Sequence, residues 1–208
     1  MRILALCTIA VLASTSTALA QFRQQTPEKA GFGVTADLVF SQMGGSPGDS
    51  VGTGFGTAAS AFFQPAGTPA RLGIGASYTR FSIEGPGDAL NKFSIYALAG
   101  WQIADEYTSV IPYVQGTVGY TKLSDDEPCS EFICGTGTTL VGKSRQGVEL
   151  GANVGVDIPL SETLNIDVAG TFSWLGLGDL EVAGQTIDGF SANGSTFGLR
   201  TGITYFPR

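Results

Sequence analysis

The sequence predicts an all-β fold: an eight-stranded antiparallel up-and-down transmembrane β-barrel that follows a cleaved signal peptide. Three observations predict it. One pattern returns eight times after residue 30, in which roughly a dozen residues alternate apolar with small or polar before a turn or loop intervenes. A period of two means a strand with two unlike faces. The chain also opens on an export signal. Beyond that signal no uninterrupted apolar run reaches the roughly 18 residues of a membrane-crossing helix, so any crossing has to be made by strands.

Residues 1–20 carry the export signal. Arg2 supplies the positive charge, Ile3 to Leu12 the apolar stretch, and Ala18-Leu19-Ala20 an A-x-A cleavage site before Gln21. The alternative for this segment is a short buried helix. Residues 21–30 (QFRQQTPEKA) are polar and read as a short periplasmic arm, and 31–208 as the barrel. The eight strand segments are 31–41, 52–63, 70–84, 92–103, 110–123, 145–158, 164–175 and 195–206. Segment 145–158 shows the pattern best: Val148, Leu150, Ala152, Val154, Val156 and Ile158 share one face, Gly147, Glu149, Gly151, Asn153, Gly155 and Asp157 the other. Connections 64–69, 104–109 and 159–163 are short; 42–51, 85–91, 124–144 and 176–194 are longer or more irregular. The two kinds alternate along the chain. A meander therefore gathers the turns at one end and the loops at the other, an asymmetry of outer-membrane barrels, whose short turns are periplasmic.

Alternation does not say which face looks outward, because a soluble lipocalin-like barrel and a membrane barrel are mirror cases. The less apolar face is crowded with glycine, including Gly54, Gly56, Gly73, Gly75 and Gly119, which suits a concave lumen better than a solvated surface. Aromatics of the apolar face collect in two girdles. Phe32, Phe63, Trp101 and Tyr205 fall at the turn end; Phe40, Phe55, Tyr78, Phe93, Tyr120 and Trp174 fall at the loop end. Phe32 and Phe40 are eight steps apart, about 26 Å along a strand and about 20 Å after a tilt near 40°, close to the ~25 Å apolar band of such barrels. Each aromatic alone would read as core packing; the placement of all ten points outward, to outer-membrane lipid.

Eight strands leave an interior just wide enough for side chains, and the inward set includes Phe62, Phe81, Tyr96, Leu98 and Tyr113. A wide diffusion pore is not expected. Charged inward candidates are Asp37, Glu149, Asp157, Asp167 and Arg200. Asp37 and Arg200 each stand about six residues from the turn end of the first and last strands, which must be neighbours once the barrel closes. An Asp37–Arg200 ion pair in the lumen follows, with Glu149 as a candidate to share the arginine. Such a pair would fix register as a static plug or, alternatively, gate ions.

Composition narrows the function. With 18 acidic and 11 basic residues the net charge is −7, and −8 once Arg2 leaves with the signal. An acidic surface without a basic patch argues against nucleic acid as a partner. Cys129 and Cys134 remain after cleavage, and in an oxidising compartment they are expected to close a short disulfide loop. Free thiols, or a metal pair short of ligands, are the alternatives. No histidine occurs, so a Ser-His-Asp triad and His-ligated zinc hydrolysis are excluded. Consecutive Asp125, Asp126 and Glu127 lie in loop 124–144 and read as a solvated acidic loop rather than a catalytic pair. No catalytic, cofactor or metal site is expected.

The leader ending Ala18-Leu19-Ala20, the opening GFGVTADLVFS, the strands YVQGTVGYTKL and GVELGANVGVDI and the closing TFGLRTGITYF together resemble the small outer-membrane protein β-barrel domains of the OmpX/OmpA transmembrane type. The resemblance covers nearly the whole mature chain, in pattern more than in specific motif. It implies an outer-membrane location in a Gram-negative-type bacterium. It also implies assembly by the barrel-assembly machinery, which reads an aromatic at the end of the last strand; here Tyr205-Phe206 precede Pro207-Arg208. Members are structural, adhesive, defensive or weakly channel-forming. The expectation is a non-enzymatic barrel that stabilises the envelope and presents loops 124–144 and 176–194 to extracellular partners. A narrow porin-like channel is one alternative and a secreted soluble ligand-binding barrel another.

Overall fold

The computed structural model describes residues 31–45, 51–83, 89–103, 110–125, 143–182, 185–187 and 192–207. They form ten strands: β1 (Gly31–Gly45), β2 (Val51–Gln64), β3 (Ala70–Ile83), β4 (Ala89–Gln102), β5 (Ile111–Asp125), β6 (Lys143–Pro159), β7 (Leu164–Leu177), β8 (Leu180–Val182), β9 (Gln185–Ile187) and β10 (Ala192–Tyr205). Strands β1 to β7 pair antiparallel with their chain neighbours, β7 pairs with β10, and β10 pairs with β1. The sheet closes on itself, so eight strands form a barrel without an open edge. The short β8–β9 hairpin stands outside the ring and hangs from β6 through Lys143↔Val182 and Ser144↔Glu181.

Closure has a measurable stagger. Register partners lead from Gly33 through Phe62, Gly73, Leu98, Thr117, Gly151, Ser173 and Thr196 to Met43, ten residues further along β1. Eight strands with a shear of ten tilt about 40° from the barrel axis. Strands of 14 to 17 residues then rise at least about 35 Å, more than an apolar band of ~25 Å requires.

That surplus explains a difference from the sequence reading. Gly44 and Gly45 look like turn residues, yet they pair with Ser195 and Gly194, and β4 begins at Ala89. Connections 46–50 and 84–88 consequently fall within the length range of the turns at the other end, 65–69, 103–110 and 160–163. Only 126–142 and 178–191 are long, and the second contains the β8–β9 hairpin. Local chemistry sets the turn end. Thr68 N–H donates to the Pro65 carbonyl at 3.3 Å, and Gly67 takes φ +67°, the left-handed value a type II turn needs at its third position. Pro112 and Pro159 sit near the turn-end termini of β5 and β6, where a missing N–H costs the ladder least.

The two faces are inverted relative to a water-soluble protein. Outward stand Val34, Leu38, Ile74, Val118, Val154 and Leu199 at mid-height, all exposed. Phe32, Phe63, Trp101 and Tyr205 lie toward the turn end, and Phe40, Phe55, Tyr78, Phe93, Tyr120 and Trp174 toward the loop end; all ten are exposed. Phe32 and Phe63 pair across β1–β2 with ring centres 5.2 Å apart. Buried inward stand Asp37, Arg71, Lys92, Asn153, Asp157, Asn165, Asp167 and Arg200, with many Ser and Thr. Residues 1–30, including the expected signal and arm, and Cys129 and Cys134 lie outside the described residues.

Candidate functional site

The barrel interior holds buried ion pairs, arranged in levels. At the turn end, Arg71 Nη2 lies 2.7 Å from Asp157 Oδ2. Gln102 Nε2 donates to the same oxygen at 3.3 Å, and Gln64 Nε2 donates to Gln102 Oε1 at 2.8 Å. The Arg71 guanidinium stacks 4.8 Å over the Phe62 ring and 5.9 Å from both Tyr113 and Phe206. Phe206 lies just beyond β10. Its N–H donates to the Thr163 carbonyl at 2.8 Å, and its ring meets Phe62 edge-on at 5.7 Å. The aromatic faces complement the cation where few further carboxylates can reach.

The next level joins three strands around Arg200. Its Nε lies 3.4 Å from Asp37 Oδ2 and 3.4 Å from Asp167 Oδ1. Its Nη2 donates to the Tyr113 hydroxyl at 3.0 Å, and that hydroxyl donates to Asp167 Oδ2 at 2.6 Å. Arg200 is therefore held by β1, β5 and β7 together. Gly202 makes room for this: a Cβ there would run into the Ala36 carbonyl and Asp37 Oδ1.

The third level pairs Lys92 with Glu149. Lys92 Nζ lies 2.6 Å from Glu149 Oε1, and Ser94 Oγ donates to Oε2 at 2.6 Å. The expectation that Glu149 could share Arg200 is thus corrected. On β6, Glu149 is level with Leu175 of β7, whereas Arg200 is level with Ala169, six residues or about 20 Å away along β7. Gly119, the β5 partner of Glu149, leaves space for the carboxylate to reach across to β4. Above this level Met43, Phe81, Leu123, Leu175 and Leu177 form an apolar cluster at the loop end, joined by Val51 and Leu90. Between the levels remains a cavity of about 80 Å³ lined by Thr79, Lys92, Tyr96, Glu149, Asn153 and Arg200 among others.

Two interior cations, Arg71 and Lys92, are absent from the sequence-based candidates although strand parity contains them. Arg71 stands two residues before inward Gly73, and Lys92 four before inward Tyr96. Asp157 and Asp167 are inward as expected, but their partners belong to different levels. The arrangement can neutralise and rigidify a polar interior: each of the three cations meets at least one carboxylate. No group of three potential metal ligands occurs among the described residues.

No protein-family model matches the chain, and no curated protein matches it. Solved structures do. A likeness to Neisserial surface protein A spans 86% of this chain and 99% of that one, with 21% identity and a TM-score of 0.61. The outer membrane protein OprG from Pseudomonas aeruginosa aligns over 89% of this chain and all of its own, with 12% identity and a TM-score of 0.54. A major outer membrane protein from Thermus thermophilus aligns over 86% and 99%, with 14% identity and a TM-score of 0.54. The chain has the fold of these small outer-membrane barrels.

Proposed function

We propose that the chain is an exported, non-enzymatic barrel of the bacterial outer membrane, closed by its own side chains, that stabilises the envelope and presents its loop end to partners. The observation that carries this reading is the inverted polarity: a closed sheet with an apolar, aromatic-bordered outside and ion pairs within. Water would penalise that outside, whereas lipid requires both its apolarity and the full backbone pairing of a closed ring. Three levels of paired charge, an arginine stacked among aromatics and an apolar cluster at the loop end oppose free passage of solutes. The β8–β9 hairpin, hung from β6 outside the ring, supplies part of that loop end, where the longest connection, 126–142, also joins β5 to β6.

Cell fractionation with a gel-shift assay tests the reading. A membrane barrel is expected to remain with the outer membrane and to migrate differently before and after boiling. Release with the soluble periplasmic fraction would sink it in favour of a secreted ligand-binding barrel. The polar cavity of about 80 Å³ favours one second reading, a narrow conduit for ions. Planar-bilayer recordings separate the two, because a closed barrel gives little or no conductance.

A further inference from the structure

The outer face of the barrel is largely apolar and nearly free of charge. Among the described barrel strands, Arg80 and Lys122 are the only charged residues on the outward face, and both are exposed. Both stand at the loop end, immediately beyond the aromatic row. Arg80 follows Tyr78 on β3, and Lys122 follows Tyr120 on β5. Their surroundings repeat. Arg80 is the register partner of Asn91, whose Oδ1 accepts the Tyr78 hydroxyl at 2.8 Å. Lys122 is the register partner of Gln146, whose Oε1 accepts the Tyr120 hydroxyl at 2.5 Å. Each cation thus stands beside an amide fixed by a tyrosine at the upper border of the band.

No Asp or Glu of the described barrel strands shares this face. In a chain of net charge −7, the described strands carry only positive charge on this stretch of outer wall. The two Cα positions are separated by two strand spacings and two residues, about 12 Å, with the Phe93 ring between them on β4. Two long cationic side chains over an aromatic floor, at the depth where acyl chains give way to headgroups, match an acyl-chain lipid that bears an anionic phosphate. We propose that Arg80 and Lys122 form a docking site for the phosphate of an anionic membrane lipid on the outside of β3–β5, in the leaflet at the loop end. The proposal rests on the membrane reading above.

The test uses the full mature chain in nanodiscs of phosphatidylcholine, with or without a minor fraction of phosphatidic acid. Lipids retained on the released barrel are counted by native mass spectrometry. The unaltered chain is expected to retain phosphatidic acid over phosphatidylcholine. Arg80→Gln or Lys122→Gln should each lower that preference about five-fold, and the double variant about thirty-fold, while Arg80→Lys with Lys122→Arg keeps it. No preference in the unaltered chain, or an equal preference in the double variant, overturns the site and leaves two cations that merely reach toward water. Displacement of the lipid by inorganic phosphate alone also overturns it, since the site would then be one for free anions. A chain that does not enter the discs overturns the membrane reading instead, and its heat-dependent gel shift identifies that case separately.

Discussion

Replacing Arg200 by Met should destabilise the barrel by about 4 kcal/mol. The arginine side chain is 9% exposed, and its two carboxylate partners, Asp37 and Asp167, are 1% and 4% exposed. At 3.4 Å and an effective dielectric near 20, each pair carries a gross attraction of about 5 kcal/mol, much of which desolvation has already offset. Removing the cation leaves the desolvation in place and takes the attraction away, a loss of about 3–5 kcal/mol in buried pairs. Tyr113 also loses an interaction with Arg200 Nη2. The assay is urea unfolding of the refolded barrel in phospholipid vesicles. Fluorescence of Trp101 and Trp174, both on the outer face, and the gel shift report it. Arg200→Met combined with Asp37→Asn and Asp167→Asn should recover to within about 2 kcal/mol of the unaltered chain, because no unpaired charge remains. An Arg200→Met variant within about 0.5 kcal/mol of the parent, the range of an ordinary surface change, would refute the idea that this arginine holds three strands together.

Three further outcomes are expected. Gly202→Val should cost about 1–3 kcal/mol through overpacking against the Ala36 carbonyl and Asp37; a double-mutant cycle with Asp37→Asn should show the two changes to be non-additive, and simple additivity would count against the contact. Phe81→Ala should cost about 3–5 kcal/mol by urea unfolding, since Phe81 is fully buried in the apolar cluster at the loop end. Val118→Arg, outward and mid-band, should cost about 2–4 kcal/mol in a bilayer; unfolding in vesicles that left its stability unchanged would argue that lipid does not cover this face.

The fold was legible because a strand's period needs no partner to be seen. Val148 to Ile158 alternate with Gly147 to Asp157 in the sequence itself, and closure of eight such strands follows from the need to pair every backbone group. The partners of the interior charges were legible only where two strands meet at the chain's ends. Asp37 and Arg200 are found by counting from the turn end of β1 and β10. Glu149 is different. Its reach to Lys92 depends on a shear of ten accumulated around the ring, and no local segment encodes that number. Arg71 and Lys92 had the right parity, yet a long cation near a strand end reads equally well as a surface residue. Strand ends at Gly44 and Gly45 misread for a related reason: glycine marks a turn in most strands, but here it pairs across a tilted strand that rises beyond the apolar band. The β8–β9 hairpin is three residues a side, too short for periodicity to register.

The position of Arg200 gives the chain a check on its own assembly. Its strand closes the ring against the first, and its side chain meets Asp37 from one flank and Asp167 from the other. A slip of one residue between β1 and β10 would turn the guanidinium toward the hydrocarbon. A slip of two would keep it inside but move it about 7 Å from one carboxylate. Either error separates the guanidinium from a carboxylate it meets in the correct register, so wrong closures are less stable than the correct one. The seam where a barrel is weakest is thus also where it verifies that its ends have met in register.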